Sequence, residues 1–120
     1  MEVPKDLIIP ILQGKITAIF KLFGDRHELC GERNLSVSRK TYAIADIESN
    51  RTKKIDEITE DDLRRGNFKD MEDFKKWWFS KGHRENDTIN VIYFEILRFK
   101  PYGKYFLKRM GKRIPKIKGD

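Results

Sequence analysis

The hydrophobic positions change their spacing several times along the chain, and each change marks an element. Apolar residues crowd Lys5–Gln13, which reads as a short helix closed by Gly14, a residue type common just past a helix end. Pro10 fits that helix only within its first turn; elsewhere it removes a hydrogen bond and kinks the helix. Ile16–Phe23 is rich in β formers and reads as a strand, with a turn at Gly24-Asp25. His27–Lys40 is polar and irregular and reads as a loop or a ragged hairpin. Thr41–Ile47 alternates: Tyr42, Ile44 and Asp46 share one face, and Ala43, Ala45 and Ile47 the other. This strand is expected to extend towards Ile55 after a break near Asn50.

Two helices follow, each with its own start and stop signals. Thr59 is an N-cap with Asp62 three residues on, and Gly66 ends the first helix. Asp70 and Asp73 repeat that arrangement, and Gly82 ends the second. Met71, Phe74, Trp77 and Trp78 recur at spacings of three and four, so both tryptophans are expected in the core. In Thr88–Phe99, Ile89, Val91 and Tyr93 alternate with Ile92, Phe94 and Ile96, so both faces are apolar and the strand should be central and buried. Pro101 stops it, and Tyr102–Met110 reads as a short helix. The order predicts an α+β chain with a small mixed or barrel-like sheet flanked by short helices, since strands distant in sequence must pair.

The 120 residues make one domain's worth, with apolar and charged residues each 38% of the chain. The core must be small and the surface densely charged. No apolar run approaches the ~18 residues of a membrane helix, and the first residues lack a basic-then-apolar signal. A single cysteine, Cys30, excludes a disulfide scaffold, and a cytoplasmic protein without membrane partners is expected.

Charge is segregated. Arg98–Asp120 holds nine basic residues and one acid, a net +8, whereas residues 1–97 hold 17 bases and 18 acids, a net −1. A near-neutral body with a cationic end attracts polyanions. Aromatic residues are interleaved with the cations, so phosphates can be neutralised while rings stack on bases. Arg98, Lys100, Lys104, Lys108, Arg109, Lys112 and Arg113 are candidate phosphate contacts, and Tyr102 and Tyr105 candidate stacking residues. The competing reading is that the aromatics pin the tail to the body. A second basic cluster comes from Lys15, Thr17 and Lys21 with Arg26, Arg33, Arg39 and Lys40, which together would flank a cleft.

Catalytic constellations are sparse. Lys15 and Thr17 lie two apart, on one side of a strand, and are the candidate pair for nucleophilic attack, which needs a base beside the weakly nucleophilic hydroxyl. His27 and Cys30 are three apart, but a zinc site wants about four ligands. Cys30 reads equally as a small buried hydrophobe. The acidic run Asp56, Glu57, Glu60, Asp61 and Asp62 is explained by a helix start as well as by a divalent cation. Phosphate-cradling glycine motifs do not occur, and no metal or other cofactor is expected.

Residues Ile11–Lys21 resemble the helix-to-strand entry of ASCH domains, of the PUA-like group. Lys54–Leu63, Gly66, the Met71-Glu72-Asp73-Phe74 helix and Val91–Ile96 resemble the later elements of the same family. The resemblance covers roughly residues 5–99 and leaves the basic segment outside. The family signature, glycine-x-lysine-x-x-glutamate-x-arginine, is met only at Gly14 when laid without a gap; its later positions hold Ile16, Ile19 and Lys21. The resemblance implies a small PUA-like β-barrel with helices at its side and a cleft facing RNA. It also implies an alternative, since some members hydrolyse N4-acetylcytidine with a lysine, a threonine and a glutamate. No single register supplies both groups here: Lys15 lies one position early, and that slip puts Ala18 at the nucleophile position.

The resemblance and the charge pattern together imply an ASCH-type domain over residues 1–99 with a basic C-terminal extension over 100–120. It is expected to bind RNA, single-stranded or structured, without catalysis of its own. The ribosome or RNA-modification machinery are candidate partners. The alternative is a hydrolase acting on a modified nucleoside or on RNA.

Overall fold

In the computed structural model, which describes residues 1–24 and 30–117, four strands carry the fold. They are Ala18–Leu22 (β1), Gly31–Val37 (β2), Lys40–Lys53 (β3) and Ile89–Phe99 (β4). The sheet order is β1-β4-β3-β2, antiparallel throughout. The only parallel pairing among the described residues is one bridge between Glu2 and Ser36, so the mixed sheet expected from the sequence is an antiparallel one with an N-terminal addition. There, Val3 N–H donates to Ser36 O and Ser36 N–H to Met1 O, which covers part of the β2 edge. Lys21 Nζ reaches Glu2 O at 3.5 Å, so the far end of β1 approaches the same segment.

β4 is central and apolar on both sides. Ile92 and Phe94 enter one core with Ile19, Leu35, Ala43, Ala45 and Ile47. Ile89, Val91 and Tyr93 enter the other with Ala18, Phe20, Phe74 and Trp78. Two cores require helices on both faces. Ile8–Leu12 (α1) covers the first, preceded by a 3-10 turn at Lys5–Leu7. Pro10 sits within the first turn of α1, where its missing N–H has no intrahelical acceptor, and Gly14 closes the helix with φ +76°.

Glu60–Arg65 (α2) and Met71–Ser80 (α3) cover the second face. Thr59 caps α2 in a capping box with Asp62, and Asp70 caps α3 through Asp73 N–H. Phe74 and Trp78 are fully buried. Trp77 is half-buried against Phe68 and Phe74, so only one of the two tryptophans lies wholly in the core.

The sequence divided the chain after Phe99, at the junction of β4 with the helix Pro101–Arg109 (α4). α4 rests on β3, however, with Leu107 fully buried in the same core as Phe94 and Ala45. Ile114 and Ile117 pack on that core as well. β3 continues through Asn50 to Lys53, in the direction expected, and in place of a break near Asn50 it has a register shift between Ile47 and Ser49. No helix among the described residues is long and apolar enough to cross a membrane.

Candidate nucleic-acid interface

α4 is fixed by its small and aromatic face. Tyr102 and Phe106 pack edge-on against Tyr42, with centroids 4.9 and 5.1 Å away. Lys100 N–H donates to Tyr42 O at 3.0 Å. A Cβ at Gly103 would lie 2.0 Å from that carbonyl oxygen, so helix and strand backbones touch there and only glycine fits. With this face committed to the sheet, the opposite face carries Lys104, Tyr105, Lys108 and Arg109, all exposed. Lys100, Lys112 and Arg113 flank it and are exposed too.

The β2–β3 turn adds to the same surface. Ser38 and Arg39 adopt φ of 49° and 70°, and the Glu2 carboxylate accepts both of their N–H groups at 3.2 Å, holding this left-handed turn. The turn lifts Lys40 Nζ to 4.9 Å from the centre of the Tyr102 ring. The hydrogen bond with Tyr42, then the bond and charge of Lys40 and the charge of Arg109, hold the Tyr102 hydroxyl below its ordinary pKa. Burial, then the bond to Tyr102, pushes the Tyr42 hydroxyl up. Lys40 thus joins the α4 cations, as the sequence could not show, and Arg39 stands exposed beside it in the turn. No carboxylate among the described residues pairs with Arg39, Lys40, Lys100, Lys104, Lys108, Arg109, Lys112 or Arg113.

The two candidate stacking residues differ. Tyr102 is half-buried between Tyr42 and Lys40. Tyr105 is 57% exposed and lines a groove of about 380 Å³ with Phe99, Pro101, Lys104 and Lys108.

The remaining candidates lie elsewhere or are engaged. Arg98 pairs with Glu32 at 2.8 Å, with both side chains over half exposed. Arg33 donates to Glu32 O, and Lys21 to Glu2 O. Lys15 is exposed in the segment after α1. Thr17 Oγ1 accepts from Arg65 Nε at 2.9 Å, and a guanidinium cannot take the proton that a nucleophilic threonine must lose. Arg26 and His27 fall outside the described residues. Cys30 is exposed rather than buried, with Sγ 3.7 Å from Glu48 O. In the acidic run, Asp61 pairs with Arg64, Glu57 accepts from Lys54 N–H, and Asp62 turns inward.

Asp62 anchors a polar network that the sequence hid. Its carboxylate meets Lys53 Nζ at 2.5 Å and accepts from Tyr93 Oη at 2.6 Å and Thr59 N–H at 3.0 Å. Burial opposes the charge on Asp62, but these donors together outweigh it and hold its carboxyl below the usual range. Burial likewise opposes the charge on Lys53, and its bonds to Asp62 and Tyr93 overcome it and raise its pKa. Burial and the bond to Asp62 push the Tyr93 hydroxyl up. Arg65, one turn along α2, lies 4.9 Å over the Tyr93 ring and bonds Thr17 O. The signal was present only in the capping acid Asp62; Lys53 and Tyr93 stand too far away in sequence to be paired by eye. A second concavity, about 310 Å³, is lined by Gln13, Thr17, Glu95, Ile96, Phe99 and Lys116 among others. No group of three or more potential metal ligands occurs among the described residues.

No protein-family model matches the chain, and no curated protein matches it. Solved structures do. An ASCH domain from Lactobacillus crispatus JV V101 superposes with a TM-score of 0.56 at 17% identity, over 78% of this chain and 71% of that one. A point-mutant form of the ASCH protein of Zymomonas mobilis gives 0.57 at 10% identity, over 97% of this chain and 82% of that one. A protein of the DUF984 family from Enterococcus faecalis V583 gives 0.56 at 11% identity, over 80% and 72%. The chain therefore has the fold of ASCH domains. The match to the Zymomonas mobilis protein extends over nearly the whole chain, beyond the residues 5–99 that carry the sequence resemblance.

Proposed function

We propose that this chain is an RNA-binding module of the ASCH, PUA-like type, and that its RNA lies across α4 and the β2–β3 turn. One observation carries the reading. Eight exposed cations, Arg39, Lys40, Lys100, Lys104, Lys108, Arg109, Lys112 and Arg113, belong to one helix, its flanks and the adjoining turn, and none pairs with a carboxylate among the described residues. Unpaired cations gathered on a rigid support release the counterions of a polyphosphate at little ordering cost. Arg98, by contrast, already has Glu32 and contributes less.

The experiment is a titration of single-stranded RNA at several salt concentrations. If about five phosphates are neutralised, log K falls against log salt with a slope of roughly −3 to −4. Changing Lys104, Lys108 and Arg109 to glutamine together removes about two from the magnitude of that slope. A flat response in the unaltered protein contradicts the proposal. Recovery of a partner that survives nuclease treatment, without RNA affinity, points instead to an acidic protein surface.

A hydrolytic activity is the second reading. The pocket of about 310 Å³ gathers Thr17, Glu95 and Lys116, a hydroxyl, a carboxylate and an ammonium. The Arg65 bond to Thr17 weighs against that hydroxyl as a nucleophile. Incubation with N4-acetylcytidine decides: cytidine released by the protein, and lost in Thr17→Val, would replace the binding reading.

A further inference from the structure

The geometry points to Tyr105 as a stacking platform for one unpaired base, flanked by Lys104 and Lys108 as contacts to successive phosphates, so that the α4 surface selects single-stranded over duplex RNA. The inference rests on the RNA-binding reading and specifies its ligand. Three features carry it. Tyr105 is the most exposed aromatic ring of the described chain at 57%, on a helix whose other two aromatics, Tyr102 and Phe106, are spent on Tyr42. Its ring borders a groove of about 380 Å³ whose other walls are Phe99, Pro101, Lys104 and Lys108. That composition is apolar at the floor and cationic at the rim, which suits a planar base carrying phosphate on either side.

Spacing supplies the second argument. Lys104 and Lys108 are one helical turn apart, about 6 Å along the axis. That is close to the step between successive backbone units of an extended single strand. The ammonium groups therefore meet neighbouring phosphates while the ring beside them, to one side of the lysine row on the same groove, meets a base. Rigidity supplies the third. The Gly103 contact with the Tyr42 carbonyl and the buried Leu107 hold the helix, so the platform exists before RNA arrives. A duplex keeps its bases paired and stacked inside, and offers Tyr105 no face.

The test compares oligo(U) with a duplex of the same length, using the full chain. Tyr105→Ala weakens oligo(U) binding about tenfold, leaves duplex binding unchanged, and leaves the salt slope unchanged because no charge is lost. Tyr105→Phe keeps the ring and retains the unaltered protein's affinity. Tyr105 is exposed, so both variants fold, which thermal unfolding verifies. Equal affinity of the unaltered protein and Tyr105→Ala for oligo(U), with salt dependence intact, overturns the stacking site while the RNA-binding reading stands. Equal weakening of oligo(U) and duplex binding by Tyr105→Ala also overturns it. Absence of salt-dependent binding in the unaltered protein overturns both.

Discussion

Replacing Gly103 by alanine sets two effects of opposite sign against each other. Gly103 lies inside α4, and its φ is not in the left-handed region. Helix propensity alone makes the alanine variant more stable by about 1 kcal/mol. The added Cβ, however, would sit 2.0 Å from Tyr42 O and 2.9 Å from Tyr42 C. Both atoms are backbone, in the interior strand β3, and cannot swing aside as a side chain would. Either α4 lifts off the sheet, loosening Leu107 and the Lys100–Tyr42 hydrogen bond, or the strand deforms. Overpacking of this kind costs about 1–3 kcal/mol, and a rigid neighbour puts the cost at the upper end. The net is a loss of about 2 kcal/mol, or a midpoint lower by about 8 °C in a domain of this size. Circular dichroism on heating measures it, with the exposed Lys104→Ala as a control that leaves the midpoint unchanged. A Gly103→Ala protein as stable as the original, or more stable, would show that α4 is not seated on β3, and the rigid cationic platform would go with it.

Further outcomes follow from the same contacts. Leu107→Ala lowers stability by about 2–5 kcal/mol in urea unfolding, as for any fully buried leucine, so cutting the chain after Phe99 unfolds it rather than merely disarming it. Asp62→Asn costs about 2 kcal/mol, because it leaves the half-buried Lys53 ammonium without its carboxylate. The pH profile has a matching shape. Asp62 is held low, so its contribution is full above the ordinary carboxyl pKa near 4 and is lost as pH falls through its folded value. Lys53 and Tyr93 are held high, so stability falls as pH rises past about 10, where the unfolded chain loses those protons first. Asp62→Asn flattens the acid limb in denaturant midpoints taken across pH. Glu32→Gln changes the unfolding free energy by under about 0.5 kcal/mol, since the pair with Arg98 is solvent-exposed.

Legibility in the sequence followed local signals. β4, α2 and α3 were readable because alternation, caps and closing glycines sit within a few residues of one another. The outer half of β3 was legible only as an extension past a break. Beyond Ile47 its strand partner among the described residues is β4, since β2 ends opposite at Gly31, and Glu48 to Lys53 are polar and exposed or half-buried, so no alternation marks them. β2 was legible only as one arm of a ragged hairpin, because this edge strand opens Gly31-Glu32-Arg33-Asn34. The helical tendency of α4 was legible, and its docking was not. The decisive residue is a glycine whose worth lies in a contact with Tyr42, 61 positions earlier in the chain. In the candidate interface, the α4 cations were found from charge density alone. Lys40 joined them only through its position over Tyr102. Thr17, Lys15 and Lys21 were grouped with Arg33 by sequence, but the fold gives Thr17 to Arg65, Lys21 to Glu2 and Arg33 to Glu32.

The central claim concerns where RNA lies on this surface, and amide chemical-shift mapping during titration with single-stranded RNA tests it most directly. The account predicts that the largest shifts fall on Lys100–Arg109 and on Ser38–Lys40, with α2 and α3 unmoved. Shifts centred instead on Gln13–Thr17 and Glu95, with α4 silent, would contradict it.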